Sequence, residues 1–346
     1  MSGELSASGR LPVYLLTGFL GAGKTTLLNK ALKLPEVART AVSINEFGTI
    51  GLDHLLVETA DDGVIELSDG CLCCTVRGDF VDTLVDLLEQ RGDSFDRIVI
   101  EMSGLAEPAP VLQALLGHPV LEDQVEAAGV VCLVDAVNGQ KALKEYHEAE
   151  HQIALADKVV LTKIDLVEEP EYVLDFLRTK APNAQLHNAR DTAFNLGGLF
   201  SGSSVINGGA HGDHHHHHHH HDDDRYKSVT LTLDRPVETS KIDLFIDLLR
   251  SAHGAAILRL KGLVWTKEFE DRPLVLHGVG SIFHPPERMD SWPVGEAKTQ
   301  LVVITDGMDP NFIKRLFDGF MGEAVVDTAD NAALTDNPLA VPGVKF

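Results

Sequence analysis

The sequence predicts an α/β fold: a parallel sheet with helices on both faces, followed by a smaller α+β domain. Three observations predict it. Short apolar runs alternate with longer amphipathic segments through roughly the first two hundred residues. A glycine-rich turn, Gly18 to Thr25, separates the first apolar run from the first amphipathic one. A Gly-, Ser- and His-rich stretch then breaks the pattern, and beyond it strand-like runs follow one another.

Pro12–Thr17, Ala41–Asn45, Arg97–Glu101, Gly129–Asp135 and Lys158–Thr162 are nearly continuous apolar runs. Strands buried on both faces of a parallel sheet have that composition. Leu27–Leu34, Asp79–Gln90, Ala109–Leu116, Glu148–Ala156 and Glu171–Thr179 carry helical periodicity. From Gly197 to Gly212 the chain is rich in Gly and Ser with little pattern. His214, His215, His216, His217, His218, His219, His220 and His221 follow, bordered by Asp213 and by Asp222, Asp223 and Asp224. Such low-complexity sequence cannot build a core and is expected to be a solvated linker. Pattern resumes with strands at Val229–Leu233, Ala256–Trp265, Leu274–Val279 and Leu301–Thr305, and helices at Lys241–Ala252 and Asn311–Phe320. These predict helices on one face of a sheet. The expected division is 1–200, a linker 201–227, a second domain 228–328 and a polar, proline-containing tail 329–346.

The chain has 346 residues, room for about two domains. Its formal net charge of −23 argues against an extended nucleic-acid or anionic-membrane surface, which needs clustered Lys and Arg. The N-terminal residues carry no signal-peptide pattern, and no apolar run approaches the ~18 residues of a membrane helix. A cytoplasmic protein with reduced thiols is expected. Cys132, in the run Val130-Val131-Cys132-Leu133-Val134, reads as a small core residue.

Gly18-Phe19-Leu20-Gly21-Ala22-Gly23-Lys24-Thr25 fits G-x-x-x-x-G-K-[ST], between a predicted strand and a predicted helix. This is the phosphate-binding loop of a P-loop NTPase. Gly18, Gly21, Ala22 and Gly23 let backbone N–H groups turn toward phosphates. Lys24 neutralises their charge, the Thr25 hydroxyl is a Mg²⁺ ligand, and Thr26 reaches the α-phosphate side. Arg97–Glu101 supplies the neighbouring strand, whose Glu101 is suited to hold Mg²⁺ through water and whose Gly104 is suited to sense a γ-phosphate. Thr162-Lys163-Ile164-Asp165 follows a late apolar run. The Asp165 carboxylate can accept both the N1 and N2 protons of guanine, which adenine does not offer, and Lys163 can lay its stem along the base. The common form of this motif begins with Asn, and here Thr162 stands in its place.

Three of the four cysteines, Cys71, Cys73 and Cys74, form a C-x-C-C run. A closed four-thiolate structural site does not fit this spacing. Three thiolates with one exchangeable position suit a soft ion that loads and unloads, such as Zn²⁺, Cu⁺ or Co²⁺. Thiol redox chemistry and packed structural cysteines are the competing readings. Glu46, in Asn45-Glu46-Phe47-Gly48 after the second strand, is a candidate Mg²⁺ neighbour, water-positioning group or fourth cargo ligand. Lys24, Glu46 and Glu101 are the candidate catalytic residues. His54 reads as a surface or packing residue, and Arg77 is a candidate arginine finger.

In these residues the sequence resembles the CobW family of P-loop GTPases, within the G3E group that also holds the hydrogenase and urease nickel-insertion GTPases. Arg259-Leu260-Lys261-Gly262 and His277-Gly278-Val279 extend the resemblance into the second domain. It implies a Mg²⁺-dependent GTPase of slow intrinsic rate, cycling between GTP and GDP, that acts as a metallochaperone. Cys71, Cys73 and Cys74, two or all three of them and with or without Glu46, would carry Zn²⁺ or Co²⁺ to a client metalloprotein or metal-cofactor biosynthesis enzyme. A nucleotide-dependent homodimer is a further expected partner. The histidine run would be a labile store that raises local metal concentration. The alternative is a non-catalytic, His-rich metal buffer.

Overall fold

The computed structural model describes residues 9–45, 64–67, 77–91, 94–191, 194–202, 225–293 and 296–322. Glu46, Cys71, Cys73, Cys74, His54 and the histidines 214–221 lie outside them.

The first domain contains β1 (Leu11–Thr17), α1 (Lys24–Leu32), β2 (Thr40–Asn45), β3 (Val64–Leu67), α2 (Arg77–Arg91), β4 (Arg97–Met102) and α3 (Pro108–Gly117). It continues through α4 (Leu121–Gln124), β5 (Val125–Asp135), α5 (Gly139–Glu145), α6 (His147–Ala154), β6 (Lys158–Thr162), α7 (Pro170–Lys180) and β7 (Gln185–Asn188). The seven strands form one parallel sheet in the order β3-β2-β4-β1-β5-β6-β7. Every residue of β1 is buried. Alternate side chains enter opposite cores: Val13 and Leu15 pack with α2 and α3, while Tyr14 and Leu16 pack with α1. Strand order reverses at β1, between β4 and β5. Ligands of open α/β sheets bind at the carboxyl edge of such a point.

The second domain contains β8 (Tyr226–Leu233), α8 (Thr239–His253), β9 (Ile257–Thr266), β10 (Phe269–Val279), β11 (Ile282–Phe283), β12 (Glu287–Arg288), β13 (Thr299–Asp306) and α9 (Pro310–Met321). Its antiparallel sheet runs β11-β10-β9-β13-β8, with β12 on β10. The helices α8 and α9 cover one face, and Phe245 meets Phe317 edge-on at 5.4 Å between ring centroids. Leu258, Val279, Ile282 and Ile304 come from this domain and join a core of the first domain. Gly262 explains part of the Arg-Leu-Lys-Gly run. It has φ 154°, and a Cβ there would lie 2.0 Å from the Gln300 carbonyl oxygen on β13.

The structure shifts several sequence boundaries. The first helix begins at Lys24, three residues before the apolar periodicity shows it. The helix predicted from Glu148 to Ala156 starts at His147 and ends at Ala154. The short elements β3, β7, α4 and α5 carry too little apolar pattern to predict. Gly197–Phe200 forms a single 3₁₀ turn rather than patternless linker. Leu199 and Phe200 are buried, Phe200 meets Tyr14 edge-on, and Lys158 Nζ donates to the carbonyls of Gly198 and Leu199. Two apolar side chains and a buried cation hold a segment whose glycines suggested a break.

Opposite that turn, a charge cluster ties the two domains together. Asp157, between α6 and β6, accepts from the Val130 N–H at 2.8 Å and lies 3.1 Å from Arg259 Nη2. Lys261 closes the cluster with a direct ion pair to the same carboxylate. Arg259 Nη1 also donates to the Leu155 carbonyl at 2.7 Å. Burial pushes the Asp157 pKa up, but Arg259, Lys261 and the Val130 N–H outweigh it and hold it well below the carboxylate range. One carboxylate facing two cations leaves the second undercompensated. Burial pushes Lys261 down to about 8, against the pull of Asp157 and with the repulsion of Arg259.

Candidate nucleotide site

The phosphate loop turns through glycines at positive φ: Gly18 at 137°, Gly21 at 73° and Gly23 at 93°. At Gly18 a Cβ would sit 2.4 Å from the Leu133 carbonyl oxygen, so only glycine lets the loop pass β5. Gly23 caps α1, whose first N–H groups face the loop. Lys24 is buried and donates from Nζ to the Gly18 carbonyl at 2.8 Å. Thr26 is exposed on the first turn.

Thr25 Oγ1 donates to Glu101 Oε1 at 2.6 Å, joining the start of α1 to the end of β4. Glu101 is only 4% exposed. A hydroxyl and a buried carboxylate in contact are the hard-oxygen pair a small divalent cation prefers. Gly104 follows in the next turn, and a Cβ there would meet the Leu20 backbone nitrogen at 2.7 Å. The turn after β4 therefore lies directly against the phosphate loop.

The third wall comes from β5 and β6. Lys163 has φ 54°, the single non-glycine residue with positive φ among the described residues. Its Nζ contacts Asp135 Oδ2 at 2.7 Å, which anchors the turn. Asp135 also accepts from the Val137 and Asn138 N–H groups at 2.7 and 3.0 Å, an Asx turn at the end of β5. Burial raises its pKa, but the bonds from Lys163, Asn138 and Val137 outweigh burial and hold it below the usual range. Thr162 Oγ1 donates to the Ala22 carbonyl at 2.8 Å. The Thr-for-Asn departure thus keeps a direct side-chain tie to the phosphate loop. Asp165 is exposed and pairs with Arg190 at 3.3 Å.

Gly18, Gly21, Ala22, Gly23, Lys24, Thr25, Glu101, Gly104, Thr162, Lys163 and Asp165 all come from the carboxyl edge of the sheet, around its reversal point. Sequence reasoning missed Asp135, although a strand-end Asp before Ala-Val-Asn is a turn signal. It also missed Arg190, which nothing local marks. Arg77 is the first residue of α2. Cys132 is fully enclosed, and burial pushes its thiol up to about 12, as suits an inert core residue. Among the described residues no group of three His, Cys, Asp or Glu side chains is placed to hold a metal ion. No helix among them is long and apolar enough to cross a membrane.

The CobW/HypB/UreG nucleotide-binding domain model matches residues 12–188, and the cobalamin synthesis protein CobW C-terminal domain model matches residues 226–321. The chain belongs to the CobW/HypB/UreG family. Zinc chaperone YjiA of Escherichia coli (strain K12) is 32% identical over 278 residues, 79% of this chain and 87% of the relative. Zinc chaperone CobW of Sinorhizobium sp. is 37% identical over 188 residues, 46% of this chain and 52% of that protein. The crystal structure of Zn(II)-bound YjiA GTPase from E. coli superposes with a TM-score of 0.66 at 27% identity, covering 90% of this chain and 99% of that one. As a CobW-family chain it combines a GTPase-type P-loop domain with the smaller antiparallel C-terminal domain.

Proposed function

We propose that this protein is a GTP-dependent metallochaperone that binds zinc or cobalt at the Cys71, Cys73 and Cys74 site and passes it to a client protein when GTP is hydrolysed. The observation that carries this reading is the meeting, at one sheet edge, of a complete phosphate loop, the Thr25–Glu101 pair and the Thr162–Asp165 turn. In the sequence, the thiol cluster lies between the first strand pair and β4, where a nucleotide-sensitive segment belongs. The names of the relatives support zinc as cargo.

In this reading the loop N–H groups and Lys24 hold the phosphates, and Gly104 faces the γ-phosphate. Asp165 reads the guanine edge, with the Lys163 stem along the base. Thr25 and Glu101 would hold Mg²⁺, which supplies charge neutralisation when bound. Glu46 positions water or joins the cargo thiolates. Unaided turnover falls at about 10⁻⁴ to 10⁻² s⁻¹, the range of intrinsic rates of GTPases acting without an activating partner. The protein acts in the cytoplasm on a metalloprotein or a metal-cofactor enzyme. Exposed Leu20, Leu105 and Tyr146 beside the cleft suit a nucleotide-dependent homodimer.

The test is Zn²⁺ affinity, measured by chelator competition, with a non-hydrolysable GTP analogue and with GDP. Affinity about tenfold or more higher with the analogue is expected, and Lys24→Ala should erase the difference. Equal affinities in the native chain would refute coupling, since a nucleotide without differential effect shifts nothing. Metal binding lost on deleting residues 214–221 but untouched by Lys24→Ala would favour a histidine buffer instead.

A further inference from the structure

Helix α6 joins the γ-phosphate turn to the second domain. Gln152, on this helix, is completely buried. Its Nε2 donates to the Gly104 carbonyl at 3.1 Å and to the Ala106 carbonyl at 3.0 Å. Only the amide nitrogen can serve two carbonyls, so the contacts fix the amide orientation. Each trans peptide is planar, so clamping these carbonyls fixes the Leu105 and Glu107 N–H directions, while the Ser103 carbonyl, coplanar with the Gly104 N–H, accepts from the Ala106 N–H at 3.0 Å within the same turn. On its other side the turn abuts Leu20 of the phosphate loop. A small cavity of about 30 Å³, lined in part by Leu20, Leu133, Asn138 and Gln152, lies alongside.

The second domain holds the same helix at both ends. At the start of α6, His147 Nε2 lies 2.5 Å from the Tyr226 hydroxyl, and the His151 ring sits 5.6 Å from the Tyr226 ring. His147 Nδ1 is also 3.6 Å from Glu107, which precedes α3 at the end of the γ-phosphate turn. Just past the end of α6, Arg259 takes the Leu155 carbonyl, and Arg259 and Lys261 clamp Asp157. An eight-residue helix is thus pinned front and back by one domain, while its buried amide grips the loop of the other.

We infer that Gln152 is a positioning residue for γ-phosphate recognition, and that α6 transmits the state of that turn to the second domain. The inference rests on the GTPase reading above. Two discrete settings of the turn would be felt as two settings of α6 against Tyr226. Conversely, a client or metal engaging the second domain would alter the preference for GTP over GDP, because coupling between two sites is reciprocal.

The experiment measures affinity for GDP and for a non-hydrolysable GTP analogue in the full chain, with kcat and KM for GTP. Gln152→Met conserves volume and removes both donors. It should lower analogue affinity about tenfold relative to GDP, roughly what two hydrogen bonds contribute. Gln152→Asn, which keeps the amide on a shorter stem, should recover part of that loss. Tyr226→Phe removes only the hydroxyl facing His147 and should move the analogue-to-GDP ratio in the same direction by about threefold, a weaker effect because it acts through α6. If Gln152→Met fails to fold, the Asn and Tyr226 variants carry the test. Folded variants that keep the wild-type ratio would overturn the inference alone. A wild-type chain that binds neither nucleotide would overturn the functional reading, and this inference with it.

Discussion

Replacing Asp157 by Asn removes one negative charge while keeping an oxygen for the Val130 N–H. The guanidinium of Arg259, 3% exposed, then faces a neutral amide, with no other carboxylate paired to it among the described residues. Arginine cannot shed its proton to escape burial. Lys261, already lowered to about 8, can. The cost is therefore that of one stranded buried charge, about 3–5 kcal/mol. Lys261→Met, in contrast, leaves the Asp157–Arg259 pair intact and removes the undercompensated cation, so it should change stability by less than about 1 kcal/mol. Urea is the denaturant to use, because guanidinium salts screen the effect being measured. Both tryptophans, Trp265 and Trp292, lie in the second domain, so their fluorescence follows its release. With an m-value of about 3 kcal/mol/M, the Asn variant should unfold more than about 1 M earlier.

The pH dependence has two arms. Asp157 has a depressed folded pKa, so its contribution is present above the usual carboxylate pKa and is lost as pH falls below it. Lys261 is also depressed, from 10.5 to about 8, so between those values the unfolded chain holds the extra proton and stability rises with pH. Lys261→Met should abolish that rise. An Asn variant within about 1 kcal/mol of wild type, or a Met variant as damaging as Asn, would refute the account of one carboxylate shared by two cations.

Gly18→Ala should cost at least about 2 kcal/mol by urea unfolding, and nucleotide binding should be lost, because the new Cβ meets the Leu133 carbonyl at positive φ. Asp165→Asn should weaken GDP by about a hundredfold or more in titration and raise affinity for xanthine nucleotides, whereas Arg190→Ala should change GDP affinity little, since its exposed ion pair contributes about 0–1 kcal/mol. With Cys71, Cys73 and Cys74 changed to Ser, iodoacetamide at pH 8 should leave native Cys132 unlabelled and modify it only in urea. Rapid native labelling would contradict its enclosure.

The central strands were legible because parallel strands buried on both faces leave continuous apolar runs, as in Pro12–Thr17 and Gly129–Asp135, although the second strand begins four residues earlier, at Val125, where Glu126 interrupts the run. The half-buried strand Gln185–Asn188 leaves no such run. The phosphate loop was legible because its chemistry is contiguous in sequence. The interdomain cluster was not. Arg259 and Lys261 stood out within a motif, but their partner Asp157 lies about a hundred residues earlier and belongs to no local pattern. Gln152 was hidden for the same reason, since a lone Gln in a short amphipathic helix signals nothing until its two carbonyls are placed.

The hydroxyl of Thr162 ends on the carbonyl of Ala22, so the Thr162–Asp165 turn and the phosphate loop are one hydrogen-bonded piece. In the proposed function, a base that seats badly against Asp165 would tilt that turn and draw the loop with it. Mismatch would then appear in turnover as well as in binding. An adenine nucleotide held by its phosphates would sit in a loop displaced from its working position and be cleaved slowly. Fidelity of this kind would guard against idle hydrolysis without a second, editing site.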